Sequence, residues 1–118
     1  MTPERLAEIC LALPQAFESF PFSDDLSVFK TSGNGKVFAL SALGAPELSV
    51  SLKVDPEDSI ALREQYTAIT PGYHLNKKHW ITIVLDGFVP DELVENLLRD
   101  SHALVRPKVP RAPRGSAG

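Results

Sequence analysis

The residues best suited to chemistry lie in one stretch, Pro71 to Leu85, which reads PGYHLNKKHWITIVL. It holds the only tryptophan, Trp80, one of the two tyrosines, Tyr73, and two of the three histidines, His74 and His79. Lys77 and Lys78 are adjacent, and no acid occurs before Asp86. Ammonium groups set among rings and imidazoles suit an anionic or planar partner. Lys77 and Lys78 can neutralise phosphates and Asn76 can bond a phosphate or a base edge, while Tyr73, His74 or Trp80 can stack or donate. The same residues also allow a plainer arrangement, with Tyr73 and Trp80 as core aromatics and the lysines solvated in a turn.

Other chemistries are poorly served. His74 and His79 have no third ligand close by, and His102 falls on a distant segment, whereas zinc sites use three or four protein ligands. No metal and no other cofactor is expected. No Ser, Thr or Cys sits in a nucleophile motif. Asp24-Asp25 and Glu57-Asp58 read as loop and helix-cap acids, not as a tuned pair. Gly33-Asn34-Gly35 is too short for a phosphate loop and lacks the helix that should follow one. The chain is therefore expected not to be an enzyme. Cys10, the single cysteine, falls on the apolar face of a helix and reads as a small core hydrophobe. It cannot form an intramolecular disulfide, which fits a reducing compartment. No apolar run approaches the roughly 20 residues that span a bilayer, and no signal peptide is evident. A cytoplasmic location without a membrane partner is expected.

The net charge of -3 over 118 residues does not favour a nucleic-acid binder, but its distribution matters more than its sum. Residues 70–82 carry two cations and no acids, residues 101–118 carry four cations and no acids, and the remainder holds six cations and fifteen acids. An acidic body thus carries two basic patches.

The elements that position these residues can be read in order. Thr2-Pro3-Glu4 opens a first helix with an apolar stripe of Leu6, Ile9, Cys10 and Leu13, closed by Pro14. Phe17 to Phe22 (FESFPF) reads as an aromatic plug between that helix and the sheet, or else as an exposed lip for a partner. Leu26–Thr31 and Lys36–Ser41 are strands joined by a Ser32-Gly33-Asn34-Gly35 hairpin turn. Leu48–Lys53 alternates cleanly, with Leu48, Val50 and Leu52 on one face. Asp55-Pro56 starts a second helix running to about Tyr66. Trp80–Leu85 is a fourth strand, and Pro90-Asp91-Glu92 opens a last helix whose stripe includes Leu93, Val94, Leu97, Leu98, Leu104 and Val105. The expected order is α-β-β-β-α-β-α: an α+β fold with helices packed on a single, mainly antiparallel sheet. Residues 1–106 form one domain, and 107–118 read as a basic, proline-rich, flexible tail.

PGYHLNKKHW followed by a strand resembles the signature of the MmcQ/YjbR family of small bacterial proteins. Phe20-Pro21-Phe22, Val28-Phe29-Lys30, Lys36-Val37-Phe38-Ala39, Val50-Ser51-Leu52-Lys53, Leu62-Arg63-Glu64-Gln65-Tyr66 and Asp91-Glu92-Leu93 fit the same family in the same order. The resemblance spans about residues 2–108. It implies a double-wing architecture, two hairpin-like wings on a helical scaffold, and a DNA-binding role that rests largely on fold analogy. The family is also likened to frataxin-like folds and secretion chaperones. The matching positions here are Pro71, Gly72, Tyr73, His74, Asn76, Lys77, His79 and Trp80, and no catalytic assignment comes with them. The leading expectation is a non-catalytic DNA-associated protein that uses Tyr73, His74, Asn76, Lys77, Lys78, His79 and Trp80. The alternatives are a protein-interaction or chaperone-like module, and a small-molecule binder using the same segment.

Overall fold

A computed structural model describes residues 1–72 and 75–107. The order is α1 (Pro3–Leu11), β1 (Ala16–Ser19), β2 (Ser27–Thr31), β3 (Val37–Ser41), β4 (Ser49–Lys53), α2 (Pro56–Gln65), β5 (Ile69–Pro71), β6 (Trp80–Val84) and α3 (Asp91–Val105). The helices start where their caps require. Thr2 accepts from the Arg5 amide at 3.1 Å, and Asp55 accepts from the Glu57 amide at 3.0 Å. In each case a proline follows the cap, where its missing N–H costs nothing.

The strands form one six-stranded sheet in the order β1-β2-β3-β4-β6-β5, with every pairing antiparallel. The fold is thus α+β with a single antiparallel sheet, as the alternation of Leu48–Lys53 and Trp80–Leu85 requires. Two strands exceed the four expected. β1 forms at one edge and the three-residue β5 at the other, so the order becomes α-β-β-β-β-α-β-β-α. β1 follows a tight reversal at Gln15, whose φ is 61°, and its register sets Phe17 opposite Lys30.

One face of the sheet carries the core. Val50 and Leu52 of β4 stand opposite Ile83 and Ile81 of β6, and all four are fully buried. Phe29 and Phe38 join them, with ring centroids 6.4 Å apart. Helix α3 lies across β3 and β4 on this face, and Leu6, Ile9 and Cys10 of α1 belong to the same core. At about 25 cal/mol per Å² of apolar surface, burying a side chain such as Leu52 or Ile81 stabilises the fold by roughly 2 kcal/mol. Leu104 departs from its expected place on the apolar stripe of α3 and is half exposed.

The register of β2 against β3 slips between Phe29 and Lys30, which leaves a bulge near Phe38. Ser101 of α3 fills the resulting gap in the ladder. Its hydroxyl donates to the Phe38 carbonyl at 2.7 Å and accepts from the Lys53 amide at 2.9 Å. One buried side chain therefore satisfies a backbone acceptor on β3 and a backbone donor on β4. Ser101→Ala is expected to orphan both and cost about 2 kcal/mol. That would lower the thermal midpoint by roughly 10 °C, read by circular dichroism. The neighbouring His102 is also buried. Its Nε2 donates to the Pro14 carbonyl at 2.7 Å, and its ring meets Phe38 edge-on. This bond fixes the α1–β1 connection to the last helix.

The aromatic plug expected of Phe17 to Phe22 does not form. Phe17, Phe20 and Phe22 are 38, 49 and 72% exposed. The cause is β1 itself: pairing with β2 places Phe17 on the side opposite Phe29, away from the helices. All three rings lie at the surface instead.

No described helix is long and apolar enough to cross a membrane. Among the described residues, no group of three His, Cys, Asp or Glu side chains is placed to hold a metal ion.

Candidate nucleic-acid interface

The turn before β6 is built by backbone bonds around Asn76. Its carbonyl accepts from the amides of His79 at 3.2 Å and Trp80 at 3.0 Å, and its Oδ1 accepts from the Lys78 amide at 2.9 Å. Asn76 therefore shapes the turn, and its carboxamide oxygen is engaged there instead of facing a ligand. The His79 carbonyl accepts from Val54 at 2.8 Å, which ties the turn to the end of β4. Lys77 and Lys78 are left exposed, while His79 and Trp80 are half-buried. Tyr73 and His74 lie outside the described residues.

Gly72 holds this turn against the strand it feeds. Its amide donates to the Trp80 carbonyl at 2.8 Å, and a Cβ on Gly72 would stand 2.6 Å from the Trp80 Cβ. Glycine is needed here for close approach. Trp80 pairs with Lys53 across the strands, on the face opposite the Ile81–Leu52 core pair. It is neither a buried core aromatic nor a free stacking platform.

The sheet register gathers further cations around this turn. β2, β3, β4 and β6 are successively antiparallel. The end of β2, the start of β3, the end of β4 and the start of β6 therefore share one end of the sheet. Lys30, Lys36, Lys53 and the Lys77-Lys78 pair sit at those four places. Lys36, Lys77 and Lys78 are exposed, and Lys30 and Lys53 are half-buried. With strands about 4.8 Å apart, the row spans roughly 15 Å, the length of a few nucleotides. Arg106 is exposed at the end of α3, close to the β2–β3 hairpin: Asn34 Nδ2 donates to the Val105 carbonyl at 2.8 Å. The opposite end of the sheet is acidic, with Asp24, Asp25, Glu47 and Asp86 in its connecting loops. Asp55 and Asp58, which follow β4 at the cationic end, line with Asp100 a cleft between α2 and α3 that Lys53 also borders, so the β4 part of that end is of mixed charge. The sheet is thus polarised along its strands, a feature the sequence hides because these lysines are scattered along the chain.

The face turned away from α1 and α3 is open. A cleft of about 700 Å³ lies across it, within the usual range for ligand clefts. Ser49, Ser51 and Thr82 form its floor, and Leu40 and Val84 flank them. Ser51 Oγ and Thr82 Oγ1 are 2.8 Å apart. Phe22 borders the cleft from the aromatic lip, and Leu75 from the basic turn. Among the described residues of the lining, Glu47 is the one that is charged. The floor hydroxyls are residues that sequence reasoning missed, whereas Phe22 belongs to the lip that it offered. The alternation Ser49, Ser51, Lys53 signalled an outward polar face but gave no sign that a loop on each side walls it in.

Cys10 supplies no chemistry. Burial, with a smaller contribution from the Glu18 carboxylate, pushes its thiol up to about 12 from its ordinary value of 9.0. Cys10 is expected to resist thiol reagents at pH 8 until the protein unfolds. Because the folded state holds this proton more tightly, the contribution of Cys10 to stability is complete below pH 9. It falls as the pH rises toward 12, a loss that Cys10→Ala removes.

The chain matches the YjbR family over residues 11–104. YbdF of Escherichia coli O157:H7 is 40% identical over 88% of this chain and 81% of its own length. YjbR of E. coli K12 is 34% identical over 86% of this chain and 85% of its own length. Both are uncharacterised by description. Among solved structures, Deinococcus radiodurans DR2400, a DUF419 domain, superposes with a TM-score of 0.83 at 46% identity. The match covers 87% of this chain and 77% of that one. A Pseudomonas syringae protein superposes with a TM-score of 0.78 at 30% identity, covering 90% and 100%. This chain belongs to the YjbR family.

Proposed function

We propose that this protein binds nucleic acid, without catalysis, through phosphate contacts along the cationic end of its open sheet. The observation that carries the reading is the convergence of Lys30, Lys36, Lys53, Lys77 and Lys78 on one end, with the loop acids Asp24, Asp25, Glu47 and Asp86 at the other. Such segregation gives an overall acidic protein one surface that attracts phosphates and one that repels them, so binding is oriented. Lys77 and Lys78 stand at the β6 end of the row, and Lys53, Lys36 and Lys30 extend it toward β2. His79 and Trp80 support the turn and border the contact. Asn76 acts through the turn's shape.

The test is anisotropy of fluorescein-labelled DNA and RNA oligonucleotides, titrated with the full chain at low and near-physiological salt. Saturable binding at low salt that fades as salt rises is expected. Absence of binding at low salt would overturn the reading.

A further inference from the structure

Phosphate contacts alone leave the open-face cleft without a role. Its described lining is unsuited to an anion: among the described residues it contains no lysine or arginine, and Glu47 borders it. The lining is mostly apolar, with Leu26, Leu40, Leu75 and Val84, but Ser49, Ser51 and Thr82 also place hydroxyls on the floor. A neutral planar group with a polar edge matches both features, lying between Phe22 and Leu75 while its edge meets hydroxyls. Leu75, at the mouth, is two residues from Lys77 and three from Lys78. A nucleotide divides its character in the same way, with a neutral polar-edged base beside a charged phosphate. In a duplex the base is sealed in the stack and reaches such a cleft only at the expense of unpairing.

We infer that the cleft receives an unpaired base of single-stranded nucleic acid while the adjoining phosphates lie on Lys77 and Lys78. This rests on the nucleic-acid reading above and narrows it to a strand type. Phe22 is 72% exposed and so can be changed without disturbing the core. It supplies the stacking surface at the lip.

The experiment compares a short single strand, the same sequence as a duplex, and the corresponding mononucleotide, each with the unaltered protein, Phe22→Ala and Ser51→Leu. Circular dichroism checks that each variant is folded. The single strand is expected to bind at least about tenfold more tightly than the duplex. Phe22→Ala is expected to weaken the single strand roughly tenfold and leave the duplex unchanged, in keeping with the loss of one base–aromatic stack. Ser51→Leu fills the floor and is expected to act in the same direction. Equal binding of single strand and duplex, with Phe22→Ala silent, would overturn the inference and leave the phosphate reading intact. So would a mononucleotide that binds as tightly as the oligomer, or an apolar peptide that occupies the cleft without displacing the oligonucleotide. Failure of every nucleic acid to bind would remove both.

Discussion

Gly72→Ala is expected to crowd its surroundings more than alanine at any other described glycine. The new Cβ would stand 2.6 Å from the Trp80 Cβ and 3.2 Å from the Trp80 carbonyl carbon and oxygen. None of these atoms is the far end of a flexible side chain, so relief requires β5 and β6 to separate. Separation breaks the Gly72–Trp80 hydrogen bond and loosens the Pro71–Ile81 register. Overpacking of this kind costs about 3 kcal/mol. The measurable outcome is a thermal midpoint lowered by more than 10 °C, with altered Trp80 emission, because the single tryptophan reports directly on the displaced strand. Unchanged stability would mean that the turn does not hold Gly72 against Trp80.

Charge reversal of the Lys77-Lys78 pair has the second large effect, on binding instead of stability. Both side chains are exposed and accept no described burial or ion pair, so Lys77→Glu with Lys78→Glu should leave the melting curve nearly unchanged. Setting like charges against phosphates costs several kcal/mol. Affinity for a short oligonucleotide at low salt should therefore fall roughly a hundredfold, and the salt dependence should become shallower by about two phosphate equivalents. The same reversal at Asp24 and Asp25, made as Asp24→Lys with Asp25→Lys, should change affinity far less, since those residues lie in the β1–β2 loop at the opposite end of the sheet. Equal effects from the two pairs would reduce the attraction to net charge.

How much of this was legible in the sequence varied with the range of the interaction. Local signals were sufficient for the helix starts at Thr2 and Asp55, the hairpin turn around Asn34 and the alternating strands that bury Val50, Leu52, Ile81 and Ile83. The two edge strands were not legible. β1 has one partner strand and an Ala-Phe-Glu-Ser pattern that follows no period-two burial, and β5 is three residues long and ends on a proline. Missing β1 led to the wrong fate for Phe17, because only pairing with Lys30 decides which face that ring takes.

The candidate site was half legible. Lys77, Lys78 and their neighbours stand out as a local cluster. Lys30, Lys36 and Lys53 do not, since each is an ordinary strand-end lysine until the register aligns them. Asn76 was read as a ligand contact. Its type was informative, but its role is to close a turn on the Lys78 amide. Ser101 shows the same limit: no pattern in α3 marks a serine that repairs a bulge two strands away.

The most direct test of the central claim is the salt dependence of oligonucleotide binding by the unaltered chain. If the lysine row on the sheet end carries the interaction, the logarithm of affinity falls linearly with the logarithm of salt. The slope for a single strand should be about -3.5, as five neutralised phosphates require, and it should drop when Lys77 and Lys78 are reversed. A slope near zero, or one unaffected by that reversal, would contradict the account.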